Sequence, residues 1–297
     1  MIVVLMAAFT AYRFVPESRV RTPGRINWTA TFLLSGWLVA LLLGVSQGSS
    51  WGWGSPAVLT LFGVAIVLLV AWIRLEVRSA NPLIDMRMMR LPAVWTTNTV
   101  ALLFGAAMFA AWAFIPQLAQ TPPSQGYGFG ASVSQAGLLM LPMLVVMFFV
   151  GILSGRMAPF FSFRAQLAVG SILTAAACTV LAVAHDQAWE VAVGGGLLGL
   201  GVGLAYATMT NLVVDAVPVT QTSVASGMNA NIRTIGGSIG AGVMSSLVTA
   251  QLSITGLPLE AGYINGFATF AVIAILAAGC ALLVPRARKV DLQPVAA

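Results

Sequence analysis

The sequence predicts an all-α, polytopic membrane helical bundle, and three observations predict it. Of its 297 residues, 59% are hydrophobic and only 7% charged, against roughly 25% charged in an average soluble domain. Eight apolar runs are each long enough to cross a membrane, since a hydrocarbon core of about 30 Å needs about 20 helical residues. The alternation of apolar and polar residues that marks an outer-membrane barrel strand is absent from these runs.

The chain opens on MIVVLMAAFTAY, twelve residues ahead of Arg13. At 1.5 Å per residue they reach about 18 Å, too short to span. A signal peptide would place its basic residues before the apolar run and a small-residue cleavage site after it, whereas Arg13, Arg19, Arg21 and Arg25 all follow. The segment reads as the stump of a spanning helix; an interfacial start to the protein is the alternative. The eight runs then fall at about 28–47, 56–73, 94–118, 133–153, 167–184, 191–214, 222–251 and 264–284.

Charge alternates between them. Arg74, Arg78, Arg87 and Arg90 lie between the second and third runs, Arg156 and Arg164 between the fourth and fifth, and Arg286, Arg288 and Lys289 after the eighth. The intervening loops, around GSSWGWGS, TPPSQGYGFGAS, HDQAWE and SITGLPLEAG, contain no Lys or Arg. Basic loops stay cytoplasmic, so these four loops are expected outside and the C-terminus in the cytoplasm. The same pattern accounts for the net charge of +6 without a nucleic-acid partner, because the cations sit between spans rather than on one folded polar face.

The longest charged connection, RLEVRSANPLIDMRMMRLP, divides the chain. Residues 1–26 hold the stump and a basic loop, 27–91 a two-helix unit with its loop, 92–285 a six-helix bundle and 286–297 a basic tail. Loop signs give the two triplets of the bundle opposite topology, as in the inverted repeats of many transporters.

Chemistry-bearing residues are few. Cys178 and Cys280 lie inside runs, where a thiol acts as a small apolar group. His185, the single histidine, sits in an outside loop and excludes a bis-histidine haem within the membrane. The methionines of DMRMMR read as interfacial packing, because a soft-metal site needs thioethers converging in a dry pocket. No metal and no cofactor are expected. The first five runs and the eighth contain no Asp or Glu, and Asp186, Glu190 and Asp215 lie in loops or at the ends of the sixth. An intramembrane proton carrier is therefore missing from these residues.

Trp51, Trp53 and Trp189 mark the outer interface and Trp28, Trp72 and Trp95 the inner, as aromatic belts do. Trp37 and Trp112 lie deeper; they pack against neighbours or lipid, or offer a stacking surface to a flat apolar substrate. Gly195, Gly199 and Gly203, Gly151 with Gly155, and Gly236 with Gly240 repeat every four residues, a spacing that lets helix backbones approach in lipid. A glycine-lined sliding surface is the other reading. GLGVGL is no nucleotide loop, since it lies inside a span with no strand before it. Thr96, Thr97, Asn98 and Thr99 cluster at the inner end of the third run, placed for capping and interface hydrogen bonds, and Gln117 and Gln120 flank its outer end.

In the seventh run, Ser226, Asn229, Ala230, Arg233, Gly236, Gly237 and Gly240 follow steps of three and four. Met228, Ile232, Ile235, Ile239, Val243 and Leu247 form a second stripe of the same period. The first is expected to face protein and the second lipid. An arginine at the centre of a span costs about 2.5–3.5 kcal/mol, so Arg233 needs helix carbonyls, Asp215 or a group outside these spans as its partner. The alternative is a span confined to 235–252, with Arg233 snorkelling to headgroups.

Six motifs, in order, carry a resemblance: VPESR, LGVSQGSSWGWGSP, EVRSANPLIDMRMMR, QAGLLMLP, LLGLGVGLAYA and VASGMNANIRTIGGSIGAG. Together they resemble the fourteen-helix drug:proton antiporter branch of the major facilitator superfamily. The resemblance implies that residues 1–12 end a sixth helix, that the first two runs are an extra pair, and that the remaining six form the C-terminal half of the fold, with the N-terminal half absent. It places Gln120 near a central cavity and the seventh run at the interface between halves. It makes GILSGRMAPFFSFR, with Gly155, Arg156 and Arg164, a degenerate copy of a gating loop that lacks its acid. The function so implied is proton-coupled efflux of amphipathic small molecules across the bacterial inner membrane, with the bilayer, a small-molecule substrate and the missing half as partners. Arg233, Asn229, Gln120, Gln117, Asn98 and Trp112 are the candidates to line the cavity or the interface between halves. A polytopic enzyme of lipid metabolism, which would need clustered acids or histidines, and a non-transporting membrane subunit are the alternatives.

Overall fold

The computed structural model describes residues 2–14, 27–79, 82, 84–253 and 256–285, and its regular elements are helices joined by turns, with one isolated β-bridge between Leu252 and Pro258. The helices are α1 (Ile2–Phe14), α2 (Trp28–Trp51), α3 (Pro56–Arg78), α4 (Met86–Met89), α5 (Pro92–Gln120), α6 (Val133–Leu139), α7 (Leu141–Met157), α8 (Phe163–Val183), α9 (Ala188–Asp215), α10 (Thr222–Thr249) and α11 (Glu260–Leu283). The motif VPESR, Arg19, Arg21, Arg25 and the basic tail fall outside the described residues.

Helix starts are set by local chemistry. Asn27, Ser55, Ser132 and Ser162 each accept a backbone N–H of the following turn, satisfying donors that have no partner in the helix. Pro56 and Pro92 occupy first turns, where a missing N–H is harmless. Pro142 likewise opens α7, and the fourth predicted run is accordingly broken at Met140 into α6 and α7 instead of forming one helix.

Among the described residues seven stretches are long and apolar enough to cross a membrane: α2, α3, α5, α6 with α7, α8, α9 and α11. The chain is a multi-pass membrane protein. The eighth expected span, α10, has the length at 28 residues but not the composition. Asn229, Arg233, Gly236, Gly237, Gly240 and Gly242 on it are buried inside the protein. Two helices also run past their apolar cores and take in acids that the run boundaries left outside: α3 includes Glu76, only 2% exposed, and α11 begins at Glu260.

α9 packs between α7 and α8, α11 between α8 and α5, and α10 along α5, with α2 against α10 and α3 against α2. One apolar core fills the bundle of α5, α8, α9 and α11 around Phe104, Met108, Leu181, Leu198 and Phe267. A second joins α2, α3 and α4 to α10 through Trp37, Trp72, Met88, Met228 and Ile235. Two expectations are corrected there. Trp72 is no belt residue: it is buried, its ring 6.4 Å from that of Trp37. The second stripe of α10 is only partly open, with Ile239 and Val243 exposed but Met228 and Ile235 covered, because the extra pair lies against it. Trp53 Nε1 donates to Ser246 Oγ at 2.9 Å and ties the α2–α3 turn to α10.

Candidate functional site

The site begins with glycines. A Cβ on Gly236 would lie 2.0 Å from the Leu102 carbonyl oxygen, one on Gly240 2.2 Å from that of Ala106, and one on Gly105 2.2 Å from that of Arg233. α5 and α10 therefore meet backbone to backbone, an approach that only hydrogen side chains allow. Gly105 was not among the residues singled out from sequence. Its lone position in α5 carries no spacing signal.

This close seam brings two amides together. Asn229 Nδ2 donates to Asn98 Oδ1 at 2.9 Å, with both side chains buried, and Asn98 Nδ2 points at Met89 Sδ at 3.9 Å. The neighbouring threonines bond to their own helix, Thr96 to Pro92 and Thr97 to Ala93. Asn98 thus bridges helices, while the hydroxyls beside it satisfy themselves locally.

One turn along α10 from Asn229 lies Arg233, 5% exposed. Its Nη1 makes a long 3.5 Å hydrogen bond to Asn229 Oδ1, and its guanidinium carbon sits 3.8 Å from the ring centroid of Tyr206 on α9. Burial within a continuous α10 overturns the snorkelling alternative. Among the described residues an amide and an aromatic face hold the cation, and no carboxylate pairs with it. Asp215, at the C-terminus of α9, makes no ion pair with it. Tyr206 is 44% exposed and was missed by the sequence reading. The signal available was a lone tyrosine inside an otherwise small and apolar run, LLGLGVGLAYA.

Other candidates lie apart from this cluster. On α9, a Cβ at Gly199 would lie 2.3 Å from the Met143 carbonyl oxygen and one at Gly203 2.9 Å from that of Met147, so these two make the α7–α9 contact; Gly195 has ordinary clearance at 3.8 Å. Gly151 and Gly155 share the spacing yet face nothing within 4 Å. Gln117 and Gln120 are exposed, and Gln120 donates back to the Pro116 carbonyl at 3.0 Å. Trp112 is partly buried beside Phe109, ring centroids 5.7 Å apart, with a buried indole N–H that meets no acceptor. Arg156 is exposed in the last turn of α7, whereas Arg164 donates to the Leu282 carbonyl and caps the end of α11. Gly155, Arg156 and Arg164 do not converge.

At the opposite end of α9, His185 lies in the preceding loop but is buried, 4% exposed, its Nε2 3.0 Å from Glu260 Oε1. Tyr127 donates to the Pro258 carbonyl at 2.5 Å. Burial raises the Tyr127 phenol above its ordinary value and the Glu260 charge adds to this, against a hydrogen bond with Thr121. The phenol stays protonated and donating there.

The model for the Major Facilitator Superfamily matches residues 1–241 and again 97–296. A cephamycin export protein from Amycolatopsis lactamdurans is 31% identical over 281 residues, covering 89% of this chain and 54% of the relative. A tetracycline resistance determinant from Streptomyces rimosus is 28% identical, covering 72% of this chain and 61% of the relative. A methylenomycin A resistance protein from Streptomyces coelicolor is 30% identical, covering 78% and 48% respectively. The chain thus spans about half the length of the curated relatives it matches. Multi-pass helices, backbone contacts built on glycine and a family match over most of the sequence lead to one conclusion: the chain belongs to the Major Facilitator Superfamily.

Proposed function

We propose that this chain forms the C-terminal bundle and extra helix pair of a bacterial inner-membrane efflux transporter. It binds amphipathic small molecules against a complementary set of helices and moves them by alternating access, coupled to protons. The observation that carries this reading is the buried Arg233: a guanidinium with no carboxylate partner among the described residues, beside a half-exposed tyrosine. Ionisable groups within spans mark substrate and ion pathways. The relatives' names, for export and for resistance, support the direction of transport. The chain is not an enzyme, and its part in transport is to bind and to move.

The 297-residue chain alone, purified into liposomes with an imposed proton gradient, is expected to drive no substrate accumulation. Half of an alternating-access pair has nothing to rock against. Co-expressed with an N-terminal six-helix half, it is expected to raise the drug concentration a sensitive host tolerates, and an uncoupler should remove that gain. Gradient-driven uptake by the chain alone overturns the two-part reading.

Orientation is tested separately. With Cys178 and Cys280 replaced, a cysteine at Ser50 should react with an impermeant thiol reagent in intact cells, and one at Ser79 should not. The reverse pattern places the C-terminus outside.

A further inference from the structure

Tyr206 is in an unusual place for a tyrosine. It lies about 14 Å along α9 from Asp215, and Arg233 about 16 Å along α10 from Thr222, the adjoining ends of their two helices. Both therefore sit near the middle of a hydrocarbon core of about 30 Å. Membrane tyrosines favour the interfaces, where the hydroxyl meets water. Here the hydroxyl bonds to no described residue; Thr210 is exposed one turn along α9, and Thr234, next to Arg233 on α10, is exposed but donates back to the Ala230 carbonyl at 3.0 Å. An unbonded phenol in that position is unfavourable against lipid and fits a wet cavity.

Arg233 covers one face of the ring at 3.8 Å and is itself almost wholly buried, while Tyr206 keeps 44% of its surface exposed. An aromatic face ordinarily attracts cations, because its quadrupole is negative there. This ring already has a cation behind it. A group stacked on the open face would lie about 7 Å from the guanidinium, within reach of its field in a medium of low dielectric. Among the described residues no carboxylate neutralises Arg233.

We propose that the open face of Tyr206 is a stacking subsite for planar aromatic substrates that are anionic or carry acceptor groups, and that Arg233 behind the ring excludes cationic ones. The proposal rests on the efflux reading above and names the substrate class of the same site. Arg233 is a positioning and selecting residue here, and Tyr206 is the contact.

The test uses the purified full chain and two probes with the same ring and opposite charge, 9-anthracenecarboxylate and 9-anthracenylmethylammonium, followed by fluorescence anisotropy. Wild type is expected to bind the carboxylate about tenfold more tightly than the ammonium. Tyr206→Ala should weaken the carboxylate about tenfold and Tyr206→Phe should retain it, since stacking needs the ring and not the hydroxyl. Arg233→Gln should remove the preference between the probes. Tyr206 stands outside both apolar cores, so its variants report even if Arg233→Gln does not fold. Equal affinities in the wild type, preference for the ammonium, or indifference to Tyr206→Ala each overturn the proposal. So does no binding of either probe, the outcome if lipid or a further helix fills this face. Stacking on Tyr206 uses this chain's own residues and no gradient, so it and the transport assay fail independently.

Discussion

Gly236→Ala is expected to destabilise the protein by about 1–3 kcal/mol, the usual range for overpacking a close contact. The added methyl would sit 2.0 Å from the Leu102 carbonyl oxygen, where backbone, not a flexible side-chain tip, must move. Gly240→Ala and Gly105→Ala meet backbone oxygens at 2.2 Å on the same seam, and pairs of these changes should not add, since the first already separates the helices. The control is Gly196→Ala, whose Cβ meets nothing within 4 Å. It should be neutral or stabilising by about 0.5–1 kcal/mol, because alanine loses less backbone freedom in a helix. Buried Cys178 reports the outcome: with Cys280 replaced, its rate of labelling on heating measures unfolding. Matching behaviour of Gly236→Ala and Gly196→Ala would refute a backbone-contact seam.

Arg233→Met is expected to move stability the other way. Methionine fills similar volume without a charge, and an arginine at mid-span is disfavoured by about 2.5–3.5 kcal/mol, which one long hydrogen bond and one aromatic face offset only in part. The variant should therefore resist heating better than wild type in the Cys178 assay. In the assembled transporter it should lose transport of anionic aromatic compounds almost entirely. Arg233→Lys should lose nearly as much, because an ammonium cannot lie flat on Tyr206 and reach Asn229 at once. If Arg233→Met proves less stable than wild type, the residue is a structural latch and its place in the substrate path is wrong.

Residue period told which side chains share a face of a helix, and this was enough to pair Asn229 with Arg233, Gly236 and Gly240. It could not tell what stands opposite. The rotation of α9 about its axis turns Tyr206 toward Arg233 and leaves Asp215 away, and nothing within α10 encodes that. The same limit explains the glycines: Gly199 and Gly203 meet α7, while Gly151 and Gly155, equally spaced, point to open space. Helix ends were misjudged for a different reason. Apolar runs stop where hydrophobic composition stops, but α3 continues until its cap at Ser79 and so includes Glu76, and α11 starts as soon as the loop ends, at Glu260, which His185 reaches from 75 residues away.

The polarity of α10 bears on how the protein is made. A nascent helix leaves the translocon sideways when lipid suits it better than the channel, and α10, with Arg233 and Asn229 on one side, gains little from bare lipid. α5 is synthesised earlier and is apolar enough to be in the membrane by then. Its groove at Gly105 and its amide at Asn98 give α10 something other than lipid to enter against. Integration of α10 and its packing on α5 become a single event, so damage to α5 is first felt as failure of a helix more than a hundred residues downstream to enter the bilayer.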